Sequence, residues 1–143
     1  MDENRIAFLK SDFVQGFPAY CGFEVTHISE GQFETSLVVR SQHRQQDDFV
    51  HAGVMATMAD HTAGYAGYTV APETARILTI EFKINLLKPA VGDLLQCRSA
   101  VVSGGRRIIV AESNLFSLTP TAEKHVARAT VTLMAVPSEK LAR

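Results

Sequence analysis

The spacing of apolar residues changes character along this chain, and each change marks an element. Ile6, Leu9, Phe13 and Phe17 recur at helical spacing. Acidic Asp2 and Glu3 suit the positive end of such a helix, and Gly16 offers a stop. From residue 23 to residue 40 the period drops to two. Phe23, Val25 and His27 alternate with polar neighbours, and after Glu30-Gly31 the alternation resumes through Phe33, Thr35, Leu37 and Val39. This predicts a hairpin. Residues 41–49 form a polar loop. An apolar, small-residue run follows at 50–67, with Val50, Val54, Met58, Ala59, Ala63 and Ala66 at helical spacing. Neither face is strongly polar, so the pattern predicts a long helix buried on most sides.

The clearest strand lies at 77–87. Leu78, Ile80, Phe82, Ile84 and Leu86 share one face, and Thr79, Glu81, Lys83 and Asn85 the other. Pro89, Gly92 and Asp93 end it. Residues 94–103 and 108–118 read as two strands joined by the turn Ser103-Gly104-Gly105-Arg106-Arg107. Pro120 breaks the chain. Residues 125–136 close the sheet with Ala127, Ala129, Val131 and Leu133 inward, and 138–143 read as a loose tail. Short links between the last strands imply an antiparallel sheet. A helix apolar nearly all round needs a sheet that curls about it. The expectation is an α+β fold, one domain over residues 1–143, with a short N-terminal helix.

Composition narrows the function. The 143 residues are 46% hydrophobic with a net charge of −1 and no charge block, which points away from nucleic acid and anionic membrane. The start is too polar for a signal peptide, and no apolar run spans a bilayer, so the reading is cytoplasmic. Cys21 and Cys97 lie far apart and read as free thiols. His51, Asp60 and His61 do not fit HExxH, and no zinc spacing, dinucleotide, P-loop or GxSxG motif occurs. No metal and no separate cofactor is expected.

Asp60 stands out. It sits mid-helix among Ala, Met and Gly. Burying a carboxylate costs several kcal/mol unless it is paired. One reading is a structural carboxylate paired with His61 or a nearby arginine. The other is a catalytic group.

The chain resembles hotdog-fold acyl-CoA thioesterases of the PaaI type, in the 4-hydroxybenzoyl-CoA thioesterase superfamily. Their central helix opens with His-Gly-Gly and carries an acidic residue nine positions after that His; here His51-Ala52-Gly53 is followed by Asp60. The segment 79–85, then Lys88-Pro89-Ala90 and Gly92, is similar to the family's next strand. Ala52 replaces the first glycine, and Gln45 stands where many members have Asn.

The resemblance implies hydrolysis of an acyl-CoA, with CoA entering only as part of the substrate. It implies a homodimer, or a homotetramer built as a dimer of dimers, with the site between subunits. Backbone N–H groups near Ala52 and Gly53, at the positive end of the helix, would polarise the thioester carbonyl. Asp60 would act as general base on water or as nucleophile. Thr79 would support it with a hydroxyl, and Arg106 and Arg107 would meet CoA phosphates. Each residue also has a plainer reading. His51 can hydrogen-bond a loop carbonyl, Gln45 can be a loop residue, Thr79 a polar strand position, and the arginines solvated turn charges. Two other functions fit the fold: a hydratase or dehydratase pairing His51 with Asp60, and a non-catalytic acyl-CoA-binding module. Another hotdog branch carries its Asp in the loop before the helix, where Asp48 stands.

Overall fold

A computed structural model describes residues 1–141. The elements are α1 (Glu3–Phe13), α2 (Phe17–Cys21), β1 (Glu24–Ser29), β2 (Gln32–Val38), α3 (Ala52–Val70), β3 (Ala75–Leu86), β4 (Leu94–Gly104), β5 (Ile108–Thr119) and β6 (Ala122–Pro137). The strands form one antiparallel sheet in the order β1-β2-β4-β5-β6-β3. The single helix α3 touches all six strands. A flat sheet of that width would span about 24 Å at ~4.8 Å per strand, more than twice the width of a helix, so the sheet curls around α3.

The core lies between α3 and the concave face. Phe33, Leu37, Leu95, Ile109, Leu115, Val131 and Leu133 point inward, all almost fully buried. The helix comes close because its contact face is small. A Cβ on Gly67 would lie 2.8 Å from Leu133 Cδ1. Such a surface of Ala and Gly slides easily, and two buried polar contacts set its position. Thr62 Oγ1 and Thr35 Oγ1 share a hydrogen bond of 2.8 Å. Ser113 Oγ donates to the Ala59 carbonyl at 2.7 Å and is itself 2.6 Å from Ser99 Oγ. A buried polar pair left half-made costs about 1–3 kcal/mol, so these contacts penalise any other setting of the helix. Because Ala59 precedes Asp60, they also fix the direction of the carboxylate.

Several expectations change in detail. Phe17 does not continue α1, which ends at Phe13; it opens α2 behind Gly16, whose φ is 61°, and is mostly exposed. Thr26 is an extra residue in β1, so Val25 and Ile28 face the core while His27 turns outward opposite Glu34. The central helix starts two residues later than the pattern suggests and runs to Val70. β6 begins at Ala122, paired with Thr119 across a two-residue turn holding Pro120, since a proline between the strands leaves both ladders intact. Of the tail, Ser138–Lys140 is a 3-10 turn, and Ser138 N–H donates to the Thr74 carbonyl at 2.9 Å; residues 142–143 lie outside the described residues. Cys21 and Cys97 are free and buried.

The largest departure is in β3. Thr79 pairs with Leu133 but Glu81 pairs with Thr132, so Ile80 is a bulge. Strict alternation puts Thr79 on the face opposite Phe82. The bulge reverses this: Thr79, Phe82 and Ile84 lie opposite the buried residues Leu133, Val131 and Ala129, on the helix side. β3 is also an edge strand, and several apolar side chains on it and just after it remain uncovered. Leu78 is 45% exposed, Ile80 51%, Phe82 40%, Leu86 51% and Leu87 49%.

Candidate active site

Two regions of α3 carry the predicted chemistry. At its middle, Asp60 is half-buried rather than buried, because it faces the gap between α3 and the edge strand β3 and not the sheet. Thr79 Oγ1 donates to Asp60 Oδ1 at 2.7 Å. No ion pair forms at Asp60 among the described residues. His61 points elsewhere. Its Nε2–H donates to the Phe13 carbonyl at 3.0 Å, and its ring lies 4.4 Å from that of Phe13 and 5.0 Å from that of Tyr65. The structural reading of Asp60 as a paired carboxylate therefore lacks its partner.

Asp60, Thr79, Gly64, Tyr65, Tyr68 and Ile77 line a cleft of about 200 Å³ together with His61. Tyr65 OH donates to Asp12 Oδ2 at 2.8 Å, and Arg76 approaches the same oxygen at 3.3 Å. Burial, then the Asp12 bond, push the Tyr65 phenol far up, so it stays protonated. Sequence reading misses Gly64, Tyr65, Tyr68 and Ile77 at this site. Gly64 and Tyr68 fall one and two turns beyond Asp60, so the helical period alone points to them.

Burial holds the His61 pKa below its ordinary value, opposed by the Phe13 bond. The folded protein keeps this ring neutral where the unfolded chain takes up a proton. That contribution to stability is full above about pH 6.5 and is lost as pH falls toward the lowered folded pKa. In thermal melts between about pH 7 and about pH 5, His61→Gln is expected to lose less Tm than the wild type. Equal slopes would place the acid sensitivity elsewhere.

At the helix start, Gln45, Val50, His51, Ala52, Met55 and Leu87 are among the residues lining a second cleft of about 500 Å³. His51 is the N-cap: its Nδ1 accepts the Gly53 N–H at 2.8 Å. The plain reading of His51 as a helix-entry residue bonded to a loop carbonyl holds through its backbone, whose N–H donates to His43 O at 2.8 Å, while its ring caps the helix. The expectation of a free Gly53 N–H is corrected, since the imidazole occupies it. Val54 N–H turns back to the His51 carbonyl at 3.0 Å, which leaves Ala52 N–H as the donor open toward the cleft. The Gln45 side-chain oxygen accepts the Asp47 N–H, so its NH₂ is what it can offer a ligand.

The loop before α3 is anchored at both ends. His43 is buried; its Nε2–H donates to Cys21 O at 2.7 Å and its Nδ1 accepts Arg40 N–H at 2.9 Å. Arg44 donates to Asp48 O at 2.8 Å and reaches Asp93 at 3.3 Å, tying the loop to the turn before β4. Asp48 sits at φ 71°, exposed beside Arg44 and outside the cleft lining. Arg106 and Arg107 lie away from both clefts. With Lys140, Pro72, Thr74 and Pro137 they border a third, of about 350 Å³.

Asp60 lies eight residues beyond Ala52, about 12 Å along the axis, and the two line different clefts. Within one chain the carboxylate and the helix-start donors do not meet.

A curled antiparallel sheet around one central helix, with a half-buried carboxylate at the helix middle, defines a hotdog-fold protein. The sequence matches the model of the thioesterase superfamily over residues 47–124. A thioesterase family protein from Silicibacter pomeroyi of known structure is 32% identical, with a TM-score of 0.90 over 93% of this chain and 98% of that one. A Halobacterium salinarum protein, to which an esterase function is provisionally ascribed, is 28% identical over 129 residues, 85% of each chain. A Haemophilus influenzae thioesterase shares the fold at 20% identity, with a TM-score of 0.81 over 90% of this chain and 88% of that one. The chain belongs to the thioesterase superfamily, and its activity is of the thioesterase type, a hydrolase. Among the described residues no helix is long and apolar enough to cross a membrane.

Proposed function

We propose that this protein hydrolyses an acyl-CoA thioester to a carboxylic acid and free CoA, at a site completed by a second copy of the chain. The observation that carries the reading is Asp60 held by Thr79 in an open cleft without a cationic partner. A carboxylate so placed accepts hydrogen bonds and protons. As general base it takes a proton from water while the water oxygen attacks the carbonyl carbon; the C–S bond then breaks and the thiolate takes up the proton. As nucleophile its own oxygen attacks the carbonyl carbon and the C–S bond breaks, releasing thiolate; water then cleaves the anhydride, freeing the acid and the Asp60 carboxylate, and the proton released goes to the thiolate. Both routes end in one acid and one thiol.

Polarisation of the carbonyl falls to the helix start of the partner, where Ala52 N–H points out along the positive end of α3. The occupied Gly53 N–H fits this role. A neutral thioester oxygen gains little by displacing the His51 ring, whereas an oxyanion makes a bond roughly twice as strong. The exchange therefore favours the transition state over the ground state. The exposed apolar edge of β3 supports the partner, since unpaired edges are otherwise covered or charged. Pairing two such edges across a two-fold axis gives a dimer, and two dimers a tetramer.

The test is thiol release, followed with a trapping dye over a panel of saturated acyl-CoAs. Release of free CoA supports the reading. Tight binding without release would favour an acyl-CoA-binding module. A hydratase would need the His51 ring as a free acid or base, whereas that ring is engaged as the helix cap.

The third cleft is assigned to the CoA phosphates. Arg106, Arg107 and Lys140 border it, and no acidic side chain does. Guanidinium pairs suit phosphate geometry. Arg106→Ala with Arg107→Ala is expected to raise KM several-fold with kcat little changed, more at low salt than at high. A truncated thioester lacking the nucleotide should be turned over as by the wild type. Equal loss on both substrates would make these arginines structural.

A further inference from the structure

Three glycines interrupt α3, and packing within the chain explains two of them. A Cβ on Gly67 would meet Leu133 at 2.8 Å, and one on Gly53 would press on the capping His51 ring at 3.0 Å. A Cβ on Gly64 would meet nothing within 4 Å. Glycine in a helix interior is weaker than alanine, so a helix-breaking residue is kept where nothing in the chain demands it. The reason lies in what fills the adjacent space.

That space is the cleft of Asp60 and Thr79. Gly64 is one turn from Asp60 on the same helical face. The remaining lining is His61, Tyr65, Tyr68 and Ile77. Tyr65 has its hydroxyl committed to Asp12, His61 has its Nε2 committed to Phe13 O, and Ile77 is aliphatic. Beside the Asp60–Thr79 pair, Ile77 and the two tyrosine rings give the wall carbon surface as well as polar.

We propose that Gly64 sets the size of the acyl group: with the carbonyl at Asp60, the acyl chain occupies the volume that a side chain at position 64 would take. The ligand is the acyl group of the thioester. Engineered cavities of ~150 Å³ hold a six-carbon guest, so the 200 Å³ cleft has room for roughly six carbons. This rests on the reading of Asp60 as the thioesterase carboxylate.

The experiment compares kcat/KM of the wild type, Gly64→Ala and Gly64→Leu on acyl-CoAs from acetyl to dodecanoyl, with light scattering for mass and thermal melts for folding. Each excluded methylene is worth roughly tenfold or more. Gly64→Leu should lower kcat/KM on hexanoyl-CoA relative to acetyl-CoA by at least ~30-fold, with Gly64→Ala in between. Both variants should melt no lower than the wild type. An unchanged chain-length profile overturns the proposal. So does a uniform loss across the panel; if the mass also falls, the glycine serves contact between copies. A wild type that releases thiol from no substrate refutes instead the reading of Asp60, and the size role falls with it.

Discussion

Asp60→Asn is expected to lower thiol release by at least ~10²-fold while the fold persists. The amide keeps the shape of the side chain, and its oxygen still accepts the Thr79 hydroxyl. It loses the capacity to take a proton from water or to attack a carbonyl. Because Asp60 is half-buried and pairs with no cation, no opposite charge is stranded by the change. Stability should shift by about 1 kcal/mol or less. The measurement is steady-state thiol trapping beside a thermal melt. A variant that turns over at the wild-type rate with an unchanged melt sinks the assignment and returns attention to other carboxylates, Asp48 first.

The second large effect is expected at the edge of β3. Leu78→Glu with Phe82→Glu should convert the assembly to single chains of 15.6 kDa and remove at least ~10²-fold of the activity. Both side chains are exposed in one chain, so a lone subunit tolerates charge there. Between paired edges each carboxylate would be desolvated without a partner, at several kcal/mol apiece. Activity should vanish with the mass, because Asp60 and the helix-start donors lie about 12 Å apart along α3, and the proposed site joins them across two copies. Circular dichroism separates this outcome from unfolding. Full activity at the single-chain mass would show that one chain holds a complete site.

The sequence pattern predicted the element order, the antiparallel sheet and the central helix, since all rest on periodicities of two and 3.6 that survive in the structure. The candidate residues were legible to different depths. Asp60 was visible because a charge breaks an apolar run. Thr79 was named beside it as a supporting hydroxyl; the bulge that turns it toward Asp60 was not legible, because residue spacing carries no sign of one. The cap at His51 was equally hidden: His is an uncommon N-cap, and only the backbone shows its Nδ1 on Gly53 N–H. The anchoring roles of His43 and Arg44 depend on segments far away in the chain, at Cys21 and Asp93. The exposure of Asp60 followed from its facing an edge strand, which local pattern cannot distinguish from a central one.

The bulge at Ile80 gives this position an unusual kind of importance. What matters there is the number of residues and not the side chain. With one residue fewer, β3 would regain perfect alternation, and every residue from Ala75 to Thr79 would exchange faces relative to Phe82. Thr79 would turn away from Asp60 although neither residue had changed. Length on this strand therefore matters as strictly as chemistry. Descendants can vary the letter at position 80 widely, but a single-codon deletion there disconnects the threonine from the carboxylate it supports.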